Sequence, residues 1–310
     1  YEIKECDWSS DVCSSDLSAF VVYAWRSFVQ LDGEIQLQGL REPVQVRRDQ
    51  ADVTHIQATS PQDAWFALGF VHAQERSWQL AFNRRLMHGT LSEVLGPATL
   101  DVDRLMRVLD IQGSAQRQYR RLPAMAQEAL QRYSDGINAF FKQAPQALPP
   151  EFHALPGSRP KDGEPMWSPT DSVGWALMMA LDLGGNWGAE VARLSLAKVL
   201  DTEALWQLMP PYPGEKPLSS TDLATLYRGL GVYRTEKQAQ APIPSGLAQA
   251  WALWSREFVE QVGEAGGKGS NNWVVSGQRS QTGMPLLAND PHLGLSAPAI
   301  WYFEIGRAHV

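Results

Sequence analysis

The sequence predicts an α+β fold, and three features point that way. Residues 60–199 carry helical apolar periodicity interrupted by Pro- and Gly-rich separators. Residues 235–269 switch to a polar, glycine-rich linker, and the stretch that follows alternates as two strands joined by a turn. A helical block, a linker and then an opening hairpin suit α+β or layered α/β/β/α packing, not an alternating parallel sheet.

Composition bounds the rest. The 310 residues are 44% hydrophobic and include twelve Trp, enough for a packed core and too apolar for a disordered chain. Formal charge is −7, of which residues 1–17 supply −4 through Glu2, Glu5, Asp7, Asp11, Asp16 and Lys4. What remains is too mild to imply a nucleic acid partner. "YEIKECDWSSDVCSSDL" (1–17) and "EIGRAHV" (304–310) fit nothing around them and read as translated sequencing-adapter sequence, so the chain is expected to be an internal piece of a longer protein. Setting those ends aside also removes Cys6 and Cys13, and with them any disulfide, thiolate nucleophile or Cys-based metal site. No apolar run reaches membrane-spanning length, so stable membrane insertion is not expected. "SAFVVYAW" (18–25) reads either as the clipped end of an export signal or anchor, or as a buried strand. An export signal would make the protein periplasmic or secreted.

"GEIQLQGLREPVQVRRD" (33–49) alternates around Gly-Leu-Arg-Glu-Pro and predicts a hairpin, and "THIQAT" (54–59) a further strand. Ser60 as N-cap, Pro61 in the first turn and Asp63 three residues after the cap open a helix that runs to about Met87, where His88-Gly89 stops it. Further helices are predicted at 90–95, 101–110, 122–142, 168–181 and 188–199. "LAQAWALWSREFVEQV" is an amphipathic helix, "GEAGGKG" a hinge, and "NNWVVSG" and "MPLLAND" two strands joined through "QRSQTG".

Common catalytic motifs are missing: no G-x-S-x-G elbow, Walker loop, H-E-x-x-H or dinucleotide fingerprint occurs. Histidines 55, 72, 88, 153, 292 and 309 show no metal-ligand spacing. The helix "GFVHAQERSWQLAFNRR" carries His72, Gln74, Glu75, Arg76, Arg84 and Arg85; paired charges packed under a sheet are the favoured reading, a catalytic role the other. Ser270 invites more. A hydroxyl needs a base, and cleavage of the Gly269–Ser270 bond would give Ser270 an α-amine of pKa about 7.7–8.0 on the nucleophile's own residue. No His-Asp pair is then required. The residues alone leave two readings open, a self-exposed nucleophile or a plain glycine-rich hinge.

"GSNNWVVSG" followed by "PLLANDPHLGLSAPAIWY" resembles the start of the β-chain in the penicillin acylase family of N-terminal nucleophile hydrolases. Residues 46–96, "VRRDQADVTHIQATSPQDAWFALGFVHAQERSWQLAFNRRLMHGTLSEVLG", resemble that family's α-chain signature, and the resemblance runs from about 32 to 303. It implies an α/β/β/α sandwich of which only the largely helical α-chain part (18–235), a spacer (236–269) and the first β-hairpin of the β-chain (270–303) are present. It further implies processing between Gly269 and Ser270 and an αβ heterodimer with a β-chain that continues past this sequence. The activity implied is hydrolysis of small N-acyl amides, of β-lactam or acyl-homoserine-lactone type, with Ser270 as nucleophile. His292 falls where the family carries His or Gln beside the nucleophile. Glu190 in "GGNWGAEVARL" matches the α-chain ligand of the family's structural calcium, and no organic cofactor is implied.

Two departures matter. Where penicillin G acylases line the acyl pocket with bulky Met and Phe, with an Arg nearby, this chain has Ala180, Gly184 and Leu183, and Leu293 replaces another Phe. A wider, greasier pocket suits an aliphatic acyl chain, so acyl-homoserine-lactone acylase-like members are the nearer resemblance. The family's oxyanion-hole donors lie deeper in the β-chain, outside this sequence. Losing one such donor costs ~10²–10³ in rate, so the 310-residue piece alone is expected to be inactive. The rival expectation is a non-catalytic helical binding module in which Ser270 only starts a linker strand.

Overall fold

The structure, a computed structural model, describes residues 18, 21–23, 25, 27–143, 148–159, 164–183, 196, 200, 202–208, 269–293 and 296–308. It is a mixed α+β fold, largely helical, and divides into two units, residues 1–178 with 298–310, and residues 179–297.

In the first unit, β1 (Gln45–Arg48) pairs antiparallel with β2 (Thr54–Ala58), Gln45 opposite Gln57 and Arg48 opposite Thr54. The turn of this hairpin is 49–53 and not Gly-Leu-Arg-Glu-Pro, where only an isolated bridge joins Gln38 and Leu40. Asp49 explains the choice. Its carboxylate accepts from the amides of Ala51 (2.9 Å) and Val53 (3.0 Å), an Asx-type closure that lets Asp52 adopt a φ of 60°. On the far side of β2 lies β5 (Glu304–Ala308), parallel to it and in register from Thr54–Glu304 to Ala58–Ala308. The sequence predicts no strand here, since 304–310 fit nothing around them in periodicity or composition. The described residues of 18–25 are helical and exposed, which removes the buried-strand reading of that stretch.

α1 (Pro61–His88) starts and stops as its sequence signals. Ser60 Oγ accepts from the Asp63 amide (3.2 Å) and donates to its carboxylate (2.8 Å), and Gly89, at φ 61°, closes the C-terminus on the carbonyls of Arg85 and Leu86. α2 (Ser92–Leu95), α3 (Leu100–Leu109), α4 (Ile111–Tyr119), α5 (Ala124–Gln143) and α6 (Glu151–Ala154) follow. The sequence missed α4 because "IQGSAQRQY" is mostly polar and buries only Ile111 and Ala115. α7 (Pro169–Leu183) begins in the first unit and ends in the second.

The core forms between α1 and α5, where Phe66, Phe70, Val71, Ile137 and Phe140 are buried. The two helices touch backbone to backbone. A Cβ on Gly69 would stand 2.0 Å from the Tyr133 carbonyl oxygen, and one on Gly136 would stand 1.9 Å from that of Phe66. The second unit holds α8 (Thr202–Leu208), β3 (Gly269–Val275) and β4 (Leu286–His292). β3 and β4 are antiparallel, joined through a 3-10 turn at Gly277–Arg279 and Gly283 at φ 72°.

Candidate active site

Ser270 is the second residue of β3, with an exposed side chain and Gly269 immediately before it. The ladder sets Gly269 opposite His292, Ser270 opposite Pro291 and Asn271 opposite Asp290. Directly opposed residues share a face and successive residues alternate. The Ser270 side chain therefore projects from one face, and those of Asn271, Asp290 and His292 from the other. On that second face His292 Nε2 lies 2.8 Å from Asp290 Oδ2 and 3.3 Å from Asn271 Nδ2. The His292 hydrogen bond, followed by its charge and the Asn271 amide, holds the exposed Asp290 carboxyl below the usual carboxylate range against a smaller opposing effect of burial. Sequence reasoning misses Asp290 and Asn271. Their signal was available, since Asp290 and His292 at i and i+2 of a strand must share a face.

The other residues named from sequence fall elsewhere. Ala180 and Leu183 lie exposed on the last turn of α7, and Leu293 is half-buried just past β4. Gly184 and Glu190 lie outside the described residues, as does most of the helix predicted at 188–199. Among the described residues no group of three or more His, Cys, Asp or Glu side chains gathers to hold a metal ion. Nor, among those residues, is any helix long and apolar enough to cross a membrane.

The polar side chains of α1 are taken up in packing. Glu75 pairs with Arg48, Gln74 donates to the Gln30 carbonyl (3.2 Å), and Arg85 donates to the Gly157 carbonyl and to Glu93 (3.4 Å). Arg84 (3.3 Å) and His88 (2.6 Å) both reach the buried Asp171, which also accepts from the Ser168 amide (2.7 Å). Burial alone would raise the Asp171 pKa; the His88 hydrogen bond and charge, then Arg84 and the Ser168 amide, outweigh it and hold the carboxylate ionised. His72 Nδ1 lies 2.9 Å from the Tyr133 hydroxyl, while its Nε2 is buried with no hydrogen-bond partner among the described residues. The favoured reading of this helix, paired charges under a sheet, describes it.

The family described as penicillin amidase matches residues 43–305. An acyl-homoserine lactone acylase QuiP of Pseudomonas aeruginosa is 34% identical over 267 residues, 86% of this chain and 30% of that protein. A penicillin acylase 2 proenzyme of Pseudomonas sp. is 34% identical over 271 residues, 87% of this chain and 33% of that protein. The chain thus spans about a third of the length of the curated relatives it matches. Among solved structures it is similar to a thermostable penicillin G acylase from Alcaligenes faecalis, with a TM-score of 0.42 and 26% identity, covering 63% of this chain and 94% of that one.

Proposed function

The chain belongs to the penicillin amidase family, a family of amide hydrolases, and from that premise we propose that it is the part of an N-acyl amide hydrolase precursor that carries the nucleophile, Ser270. The observation that carries the reading is the place of Ser270: at the head of β3, exposed, immediately after a glycine and with no imidazole on its own face of the hairpin.

In the proposed maturation the Ser270 Oγ attacks the Gly269 carbonyl carbon. The Gly269–Ser270 C–N bond breaks, the nitrogen takes the hydroxyl proton, and an ester forms that water hydrolyses. The products are a Gly269 carboxylate and a free Ser270 α-amine. That amine, with an ordinary pKa of about 7.7–8.0, is neutral often enough near pH 8 to take the Oγ proton directly or through one water. Oγ then attacks the substrate's acyl carbon, the amine leaves with the proton, and water releases the acid from the acyl-serine ester. His292 enters through its place opposite Gly269, where its backbone borders the bond to be cut and its imidazole, bonded to Asp290, stiffens β4.

Ala180, Leu183, Gly184 and Leu293 are proposed to line an acyl pocket suited to aliphatic chains, their side chains being small or aliphatic. A structural calcium held in part by Glu190 and by residues further along the protein belongs to the same proposal, as do periplasmic or secreted placement and pairing with the continued β-chain. Mass spectrometry and N-terminal sequencing of the full-length protein test the central claim. A chain beginning at Ser270 is expected, and a single uncut chain that still hydrolyses amides would refute it. Chelation and calcium return, followed by thermal unfolding, test the metal: a melting temperature unmoved by either refutes that part.

A further inference from the structure

We propose that Arg76 and Gln79 are positioning residues, the working parts of a latch that holds residues 298–303, the segment beyond the nucleophile hairpin, onto the helical unit. The inference rests on the reading above in one respect: cleavage before Ser270 turns this contact within one chain into a contact between two.

α1 is regular except at Arg76, whose φ of −131° and ψ of 23° break the helix where neither Pro nor Gly stands. Kinks of that kind need a local cause, and the side chains there face one backbone stretch. Arg76 Nη1 donates to the Ala299 carbonyl (3.2 Å) and to Gln79 Oε1 (3.2 Å). With its oxygen so engaged, the Gln79 amide must turn its NH2 outward, and Nε2 donates to the Pro298 carbonyl (3.3 Å). Two successive carbonyls of an irregular segment thus find donors on one helix. The Arg76 guanidinium also sits 5.9 Å from the centre of the Tyr302 ring, against which His72 packs edge-on at 4.7 Å.

β2 supplies the second half of the latch. Thr54, wholly buried, has its hydroxyl 2.8 Å from that of Tyr302, and its amide donates to the Phe303 carbonyl (3.2 Å). Every anchor lies before residue 236 and every anchored group after residue 297. After cleavage and loss of the spacer, these bonds would be what α-chain residues 54–79 offer to the β-chain at this place.

The test is hydrogen exchange by mass spectrometry on the full-length protein, with chain retention followed in urea. In Arg76→Met combined with Gln79→Leu, exchange over 299–303 is expected to rise about tenfold or more while α5 is unchanged, as for a local opening. The Ser270-initiated chain should separate at urea concentrations the wild type withstands. Arg76→Lys, which keeps a donor for Ala299, should recover most of the protection. Gln79→Glu, which keeps size and the Arg76 bond but loses the donor to Pro298, should show the local rise even if the double variant fails to fold. Unchanged exchange over 299–303 in Gln79→Glu would overturn the latch. A raised exchange in a protein that is never cut would leave the latch standing and refute the cleavage reading instead.

Discussion

Gly269 faces His292 across the β3–β4 ladder, which leaves Ser270 opposite Pro291 with its side chain on the face that the His292 imidazole does not share. On the proposed reading the base for Ser270 is therefore its own α-amine and not that ring. The expected consequence is a kcat/KM that rises with pH as the amine loses its proton, with an apparent pKa of about 7.7–8.0. His292→Gln should lower the rate without moving that pKa. A pH–rate profile of the processed full-length enzyme decides it: loss of the limb in His292→Gln would mean the imidazole is the base after all.

In the proposed function one hydroxyl performs both the cut and the hydrolysis. Ser270→Ala should therefore give an uncut, inactive chain. Ser270→Cys should still be cut, since a thiol can make the same acyl shift. Intact-mass measurement of the three proteins beside an amidase assay checks this, and a cut Ser270→Ala chain would place the cleaving group elsewhere.

If Ala180, Leu183, Gly184 and Leu293 line the acyl pocket as proposed, their small and aliphatic character sets an acyl preference. Each further methylene buried is worth about 0.8 kcal/mol, so kcat/KM should climb several-fold per added methylene until the pocket is full. Leu183→Phe should shorten the preferred chain. A series of N-acyl amides run beside a phenylacetyl amide measures it, and a clear preference for phenylacetyl would count against the pocket.

How much of this was legible in the sequence varies with how local the cause is. α1 could be read to within a few residues because Ser60, Pro61, Asp63 and Gly89 act over one turn each. The β3–β4 hairpin was legible through its alternation and its Gly-containing turn. The first hairpin was misplaced because a single carboxylate, Asp49, outweighed a more conspicuous Gly-Pro pattern. Pairings between distant segments were invisible: Thr54 with Tyr302, Asp171 with His88, and the β2–β5 ladder depend on packing that no local pattern encodes. Ser270 was singled out by its chemistry, but the face it shares required the register.

The α1–α5 crossing yields a stability prediction. A methyl at Gly136 would meet the Phe66 carbonyl oxygen at 1.9 Å, and the obstacle is backbone, which cannot rotate away. Overpacking of a core costs about 1–3 kcal/mol and more where backbone must shift, which at a backbone obstacle outweighs the roughly 1 kcal/mol by which Ala outranks Gly in helix propensity. Gly136→Ala should therefore lower the urea midpoint markedly, and Gly69→Ala likewise. Gly96→Ala, with open space around its Cβ, should cost only the strain of its φ of 81°. Equal midpoints for Gly136→Ala and wild type would refute the close approach.

His72 makes stability depend on pH in a definite direction. Burial, with a smaller contribution from the Arg76 charge, pushes its pKa from 6.5 down to about 4, and its ring is enclosed by Tyr133 and Tyr302. The folded protein thus keeps His72 neutral where an unfolded chain would already bind a proton. Between those two pH values the unfolded state holds more protons, so this contribution is complete above pH 6.5 and is lost as pH falls through about 4. The span corresponds to about 3 kcal/mol at most, at 1.36 kcal/mol per unit. Glu304 acts with the opposite sign: burial raises its carboxyl, so its contribution is present at low pH and fades as pH rises. The two therefore oppose each other on the acid side. His72→Gln removes the first without touching the second. Urea unfolding from pH 7.5 to 4 should show a flatter loss of stability in the variant than in wild type. An equally steep loss in both would show that other groups, and not this imidazole, set the acid limit.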